Sequence, residues 1–429
     1  MQQKSKTALP AVRAWYKVDN AANMYCFARN RHFSRTYRNS VVLRDEIDIP
    51  VMQEALRRTA RRFPSINTVL RTGAFWAYLE HTDTVPEIQE ELCYPGRYIL
   101  HNGENSPCYR VSVYKNRLSV EMFHGVSDGA GSFAFLKCLI VTYFELKGVN
   151  ISSYGDIKNT ADEPTPEEVE DSSARYAEPL KKAVKPKEPP YFIGENDQLQ
   201  NFVRYVYGRF PVADIKSVAK KYGLTITEYL ASAMILMYIR CSPEPICLPI
   251  KISIPVDLRR RFPSETVRNF VFMTEVIFSP EGRTDVTFEE IADAVRGTAA
   301  KGATREALLR AMSTNVAAER NKITSAVPYP IKKLVMTKSY EDMQYSYTTI
   351  LSNIGEMKLP PEVAPLVLEA DACLGKTPYL HFGCAAMSLN GIFNLTFTSA
   401  NRNTEREKFF FRLLSSHGIH VRVDSNIYE

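Results

Sequence analysis

The sequence predicts an α/β protein of two domains, and three observations carry that expectation. The chain has 429 residues, more than one hydrophobic core usually covers, so two domains of roughly 200 residues each are expected. Segments with two-residue alternation interleave with segments of helical spacing in both halves. Between the halves, residues 150 to 190 pass through DEPTPEEVEDSS and then KKAVKPKEPP, an acidic stretch followed by a basic, proline-rich one with few large apolar residues. That composition reads as a linker, which places the domains at 1–160 and 196–429 with the linker at 161–195.

Along the chain, the first clear element is IDIPVMQEALRRTARRFPS, where Asp48 caps a helix, Pro50 suits its first turn and Pro64 ends it. Met52, Ala55, Leu56, Thr59, Ala60 and Phe63 share one face, while Arg57, Arg58, Arg61 and Arg62 fall mainly on the other, which reads as solvated. Two β-rich runs follow, FWAYLEH and YRVSVYKNRLSVEMF; in the second, Lys115, Asn116 and Arg117 divide two alternating segments as a hairpin does. SFAFLKCLIVTYFELKG then has helical spacing at Phe135, Leu136, Leu139, Ile140, Tyr143 and Phe144 and stops at Gly148.

After the linker, NFVRYVYGRF alternates as a strand, and PVADIKSVAKKYG reads as a helix closed by Gly223. Thr225 and Glu228 have capping-box spacing ahead of EYLASAMILMYIR. LPIKISIPVDLRRRF, a helical stretch from about Thr287 to Ala317, YSYTTILSNIG, the alternating GIFNLTFTS and a final helix complete the second half.

Composition narrows the class. Hydrophobic residues are 45% and charged residues 24% of the chain, ordinary for a folded globular protein. The net charge of +6 is spread over many arginines rather than gathered in a stripe, so no nucleic-acid partner is expected, while a phosphate-bearing ligand remains compatible. Eight cysteines, at 26, 93, 108, 138, 241, 247, 373 and 384, form no C-x-x-C pair and read as reduced thiols. No run approaches about 18 apolar residues, so a cytoplasmic protein without a membrane span is expected.

The chemistry concentrates in VEMFHGVSDGAGSF, residues 120–133. Leu118, Val120 and Met122 share one face of a strand, and His124 continues it, so the imidazole points inward. A histidine there is, by default, a core residue with a hydrogen-bond partner. Gly125, Gly129 and Gly131 allow a tight turn and leave room for a ligand, and Asp128 sets a carboxylate where the chain reverses. Such an aspartate has three readings: it orients the imidazole, binds a metal with it, or holds the loop through an arginine. No third ligand lies near enough in sequence to complete a metal site, and His417 and His420 in HGIH are read as surface or packing residues.

H-x-x-x-D-G after a β-hairpin and before an apolar helix resembles the active-site motif of the chloramphenicol-acetyltransferase-like acyltransferases. These include condensation domains of nonribosomal peptide synthetases, plant-type acyltransferases and alcohol acetyltransferases. RRFPSINTVLR, IPVDLRRRF followed by Asn269 and Phe270, and TTILSNIG resemble stretches of those families in the same order. Phe123 stands where condensation domains carry the first of two histidines, and the plant-type D-F-G-W-G is absent, so the alcohol acetyltransferase type is resembled most.

The resemblance implies two similar α/β subdomains in a V-shaped pseudo-dimer, with a central channel. His124, Asp128 and Gly129 would form the catalytic motif, with His124 as general base and Asp128 turned away from substrate onto Arg259. Ser352, Asn353 and Gly355 read either as channel-lining residues or as a polar turn. The expected reaction moves an acyl group from acyl-CoA or a carrier-protein phosphopantetheine thioester to a small-molecule alcohol or amine, with no permanently bound cofactor. A stand-alone condensation-type transferase fed by an acyl carrier protein, and a non-catalytic relative that binds a ligand or partner, are the alternatives. A thiol with an ordinary pKa of about 8.5 leaves readily, and no G-x-S-x-G nucleophile elbow competes with this reading.

Overall fold

The computed structural model describes residues 12, 14–28, 35–91, 95, 99, 105–179, 189–192, 203–319, 326–375 and 382–426. β1 (Trp15–Lys17) and α1 (Asn20–Ala28) precede β2 (Thr36–Leu43), α2 (Ile49–Arg62), β3 (Thr68–Thr72), β4 (Ala77–His81) and β5 (Gln89–Glu90). The hairpin β6 (Tyr109–Tyr114) and β7 (Arg117–Phe123) runs into α3 (Gly129–Leu146), and α4 (Ser172–Tyr176) follows. Next come β8 (Arg204–Pro211), α5 (Val212–Lys221), α6 (Ile226–Cys241), β9 (Ile250–Asp257) and β10 (Val271–Phe278). Helices α7 (Phe288–Val295), α8 (Thr298–Gly302) and α9 (Arg305–Glu319) are followed by a helix over Tyr329–Gln344. β11 (Thr349–Glu356), β12 (Val367–Cys373), β13 (Phe382–Leu389), β14 (Ile392–Ser399), a helix at Glu405–Ser416 and β15 (Arg422–Ser425) complete the order.

Local signals account for many of these boundaries. The Asp48 carboxylate accepts from the Val51 N–H (3.2 Å) at the head of α2. Thr225 and Glu228 make the reciprocal capping box that starts α6. Lys115 takes a left-handed φ of 53° in the β6–β7 turn.

The strands form three sheets, ordered β1-β4-β3, β12-β2-β7-β6-β5 and β10-β9-β11-β13-β14-β8-β15. A first core, with Val41, Leu56, Phe63, Val120, Phe135 and Leu139 among its residues, lies between the five-stranded sheet and α2 and α3. A second, around Tyr229, Ile235, Ile252, Leu351, Phe397 and Phe410, fills the space between the seven-stranded sheet and α6. The mixed α/β expectation stands. One strand crosses between the halves: β12, from the second half of the chain, pairs antiparallel with β2 at the edge of the first-half sheet.

Three expectations need correction. Arg62 is buried rather than solvated: its guanidinium binds Glu168 at 2.5 and 2.9 Å and donates to the Asn159 carbonyl, because residues from the region after α3 fold back over that face. The helix expected over 287–317 is three helices, interrupted after Val295, with Gly297 at φ 72°, and again before Arg305. Gly129–Leu146 is, after all, long and apolar enough to cross a bilayer, although most of it is buried inside the protein, as a core helix is.

The segment that follows α3 is packed where it is described. The Glu168 carbonyl accepts from Val267 N–H (2.9 Å), and Ser172 and Ser264 share a hydrogen bond of 2.8 Å. Residues 180–188 and 193–195 of the expected linker lie outside the described residues.

Candidate active site

The strand β7 ends at Phe123, and the chain then turns sharply: Val126 N–H donates to the Phe123 carbonyl (3.1 Å), while His124 N–H donates to the Arg35 carbonyl (2.9 Å). These two bonds fix the backbone of His124 at the mouth of the turn. Its ring is half-buried, stacked on Tyr25 with centroids 4.1 Å apart and met edge-on by Tyr37 at 4.9 Å. The aromatic walls allow little rotation of the imidazole.

Two ring nitrogens face different surroundings. Nδ1 lies 3.1 Å from Asn269 Oδ1, an acceptor, so Nδ1 carries the proton and donates. Nε2 has no hydrogen-bond partner among the described residues. A satisfied core histidine would use both nitrogens. This one keeps a lone pair unengaged, which is the requirement for a general base. Burial lowers the His124 pKa, opposed by the hydrogen bonds the ring donates to its own backbone and to Asn269 Oδ1 and by the nearby Asp128 charge, so the ring is neutral at neutral pH.

No hydrogen bond joins Asp128 to the imidazole, and both of its carboxylate oxygens are engaged elsewhere. Its side chain caps α3 by accepting from Gly131 N–H (2.9 Å). It also binds Arg259 through Nη1 (2.9 Å) and Nη2 (3.2 Å) and accepts from Phe270 N–H (2.8 Å). Arg259 is held in turn by Asp257 (2.9 Å) and by the carbonyls of Thr266 and Arg268. A buried carboxylate needs such a set of donors to remain charged without a large cost. The consequence is positional, because the Asp128 bond to Phe270 N–H clamps the residue next to Asn269, and Asn269 is the residue that meets His124.

Further contacts pin the loop. Ser127 Oγ donates to the Val267 carbonyl (2.6 Å), and Tyr37, whose hydroxyl is held neutral by burial, donates to the carbonyls of Ser127 (3.1 Å) and Asp128 (2.9 Å). Gly131 is required by space: a Cβ there would stand 2.0 Å from the Val267 carbonyl oxygen. Gly129 has no such constraint, its nearest neighbour being the Ile354 side chain at 3.8 Å from a Cβ.

That contact brings β11 to the start of α3. Ser352, Asn353 and Gly355 lie within β11 rather than in a turn, with a register shift against β13 between Asn353 and Gly355. Gly355 has φ 97°, which a residue with a Cβ rarely adopts, and the Asn353 carbonyl oxygen of the side chain accepts from its N–H (3.2 Å). Asn353 also donates to Thr227 Oγ1 (3.1 Å). The remaining histidine pair is apart from this site: His417 Nδ1 meets the Tyr229 hydroxyl (2.9 Å), and His420 meets Asp214 (2.9 Å) on the surface. No group of three metal-ligating side chains and no disulfide occurs among the described residues.

One residue of this site carries no sequence signal. Asp19, between β1 and α1, accepts from Asn269 Nδ2 at 3.3 Å and from Ala22 N–H at 2.8 Å, with an Arg268 guanidinium nitrogen 3.6 Å from its Oδ2. Burial pushes its carboxyl up to about 7, against the pull of Arg268. Asp19 lies 250 positions from Asn269 along the chain, so neither spacing nor periodicity could announce the contact.

No family model and no curated protein matches this sequence. Solved structures do match in fold. Polyketide synthase associated protein 5 from Mycobacterium tuberculosis shares 13% identity over 94% of this chain and 98% of its own, with a TM-score of 0.59. The trichothecene 15-O-acetyltransferase TRI3 of Fusarium sporotrichioides shares 12% identity over 96% of this chain and 99% of its own, at a TM-score of 0.62. TRI101 of F. graminearum, solved with coenzyme A and T-2 mycotoxin, shares 11% identity over 95% of this chain and 99% of its own, at 0.59. Condensation domains match as well, among them that of the monacolin K polyketide synthase MokA (12% identity, TM-score 0.57). The fold of this chain is therefore that of acetyltransferases and condensation domains, along nearly its whole length.

Proposed function

We propose that this chain is an acyltransferase of the chloramphenicol-acetyltransferase-like superfamily, which moves an acyl group from a thioester of coenzyme A or phosphopantetheine to an alcohol or amine. The single observation that carries the proposal is the setting of His124, whose Nδ1 lies 3.1 Å from Asn269 Oδ1 and whose Nε2 has no hydrogen-bond partner among the described residues. It stands where the two halves of the chain meet, with Asn269 and Arg259 reaching the 124–131 loop from the second half. A channel between the two halves, arranged as a V, would bring donor and acceptor to this ring from opposite sides.

In the reaction, His124 Nε2 takes the proton of the acceptor hydroxyl or amine as its oxygen or nitrogen bonds to the thioester carbonyl carbon. The tetrahedral oxyanion then collapses, the carbon–sulfur bond breaks, and the imidazolium returns the proton to the leaving thiolate. No covalent enzyme intermediate is needed. The Gly129 N–H, at the first turn of α3, is the donor assigned to the oxyanion, and Ser352 and Asn353 on β11 are assigned to the channel wall. Asp128 and Arg259 hold the loop and take no proton.

The neighbour solved with coenzyme A supports the choice of donor, and the T-2 mycotoxin bound in the same TRI101 structure supports a small molecule as the second substrate. The test is a free-thiol release assay with acyl-CoA donors of increasing chain length against a panel of alcohols and amines, run beside His124→Ala. Release that depends on both substrates and vanishes in the variant is expected. If no acyl-CoA exceeds the variant while carrier-bound acyl groups also fail, the acyltransferase reading is wrong.

A further inference from the structure

The residues behind His124 form a chain of three side chains, each assigned its direction by the next. Asp19 Oδ1 is engaged by Ala22 N–H, leaving Oδ2 to accept from Asn269 Nδ2. The amide nitrogen of Asn269 thus has its acceptor, and the amide can present only its oxygen to the imidazole. That oxygen accepts from Nδ1–H. All three members are buried or half-buried, so water does not offer the amide or the ring an easy substitute.

We propose that Asp19 and Asn269 are positioning residues of the reaction, in which Asp19 fixes the direction of the Asn269 amide and the amide holds His124 as the Nδ1–H tautomer with Nε2 open. The inference rests on the acyltransferase reading for its kinetic consequence only; the tautomer is a property of the resting protein. A reversed amide would aim an N–H at Nδ1. Nδ1 would then have to accept, the ring proton would move to Nε2, and the base would be lost. The amide is preferred to a second carboxylate at this position for a physical reason: it orients the ring without adding charge beside Asp128.

The direction of the amide requires an accepting Oδ2, which the ionised carboxyl presents and the Arg268 guanidinium, 3.6 Å away, favours; a donor at that position, as in Asp19→Asn, turns the amide over. The Arg268 guanidinium, which also donates to the backbone carbonyls of Lys17 and Val169, holds this carboxyl in register with the segment that carries Asn269.

The experiment combines nitrogen-15 NMR of the imidazoles with steady-state kinetics on the full chain. Wild type, His124→Ala to assign the signal, Asn269→Ala and Asp19→Asn are compared at neutral pH. Asp19→Asn keeps the size and the cap on Ala22, and so reports even where Asn269→Ala folds poorly. In the wild type, His124 is expected to show a protonated Nδ1 and an unprotonated Nε2. In both variants a substantial share of Nε2–H tautomer is expected, with kcat reduced by roughly 10- to 100-fold, part of the 10²–10⁴ that a general base contributes, and KM for the donor changed less than about twofold. An Nε2–H form in the wild type, or an unchanged tautomer in both variants, overturns the proposal. So does a tautomer shift that leaves kcat intact. Absence of turnover in the wild type would instead count against the acyltransferase reading, and the NMR result would still decide the tautomer.

Discussion

At His124 burial and hydrogen bonding act on one proton in opposite directions. Burial disfavours the imidazolium and lowers the pKa below its ordinary value of about 6.5, and the residual attraction of Asp128 and Asn269 does not reverse it. The sign follows directly: activity needs the neutral ring, so kcat/KM is expected to be flat around neutrality and to fall only below about 6.5. A pH–rate profile with its acid limb above that value would contradict the assignment of His124 as the base. Stability follows the same direction. As pH drops below about 6.5, the unfolded chain takes up a proton that the folded site refuses, so this residue makes the fold less stable in acid. The neighbouring roles separate by substitution. His124→Ala is expected to abolish thiol release and leave the melting temperature nearly unchanged, whereas Asp128→Ala, which removes the cap of α3, the acceptor of Phe270 N–H and one of the two carboxylates on Arg259, costs about 2–4 kcal/mol as well as activity. Equal unfolding of the two variants by thermal denaturation would show that their roles are not distinct.

Among the elements, the start of α3 is the most tightly determined. Asp128 caps it, Gly131 permits the Val267 carbonyl to approach, and Tyr37 ties the preceding carbonyls to β2. Gly131→Ala drives a Cβ to 2.0 Å from backbone, which side-chain rotation cannot relieve, so a loss of about 2–4 kcal/mol is expected in chemical denaturation. Gly129→Ala meets only Ile354 at 3.8 Å and is expected to alter stability by less than about 1 kcal/mol, helped by the better helix propensity of alanine. The reverse order of these two effects would refute the geometry of the turn. This element was legible in sequence because its determinants are close neighbours: a cap, three glycines and an apolar helix within twenty residues. β11 was less legible, since Ser352 and Asn353 look like turn residues until the partner strand β13 extends past them.

Over the whole molecule, the halves are joined by more than covalent continuity. β12 closes the edge of the first-half sheet by pairing with β2 from Arg38 to Leu43, and the 267–270 segment is locked onto the 127–131 loop. Cut off from β12, the first half would expose the backbone of β2 and the apolar residues of that edge, an aggregation-prone state. Residues 1–177 expressed alone are therefore expected to be insoluble or to lack a cooperative thermal transition, and co-expression with residues 189–429 to restore both. A soluble, cooperatively folding 1–177 fragment would show that the crossover strand is dispensable.

The sequence by itself determined α2, α3, α5 and α6, the β6–β7 hairpin, the caps at Asp48 and Thr225 and the location of the histidine motif, because each depends on interactions within one or two turns of chain, and such interactions leave spacing and residue-type signatures. Only the tertiary structure decided the partners of that histidine. Asn269 lies 145 positions from His124, Asp19 lies 250 from Asn269, and Glu168 lies 106 from Arg62. Contacts at such separations are set by how sheets and loops pack, and packing at a distance writes no period into the chain.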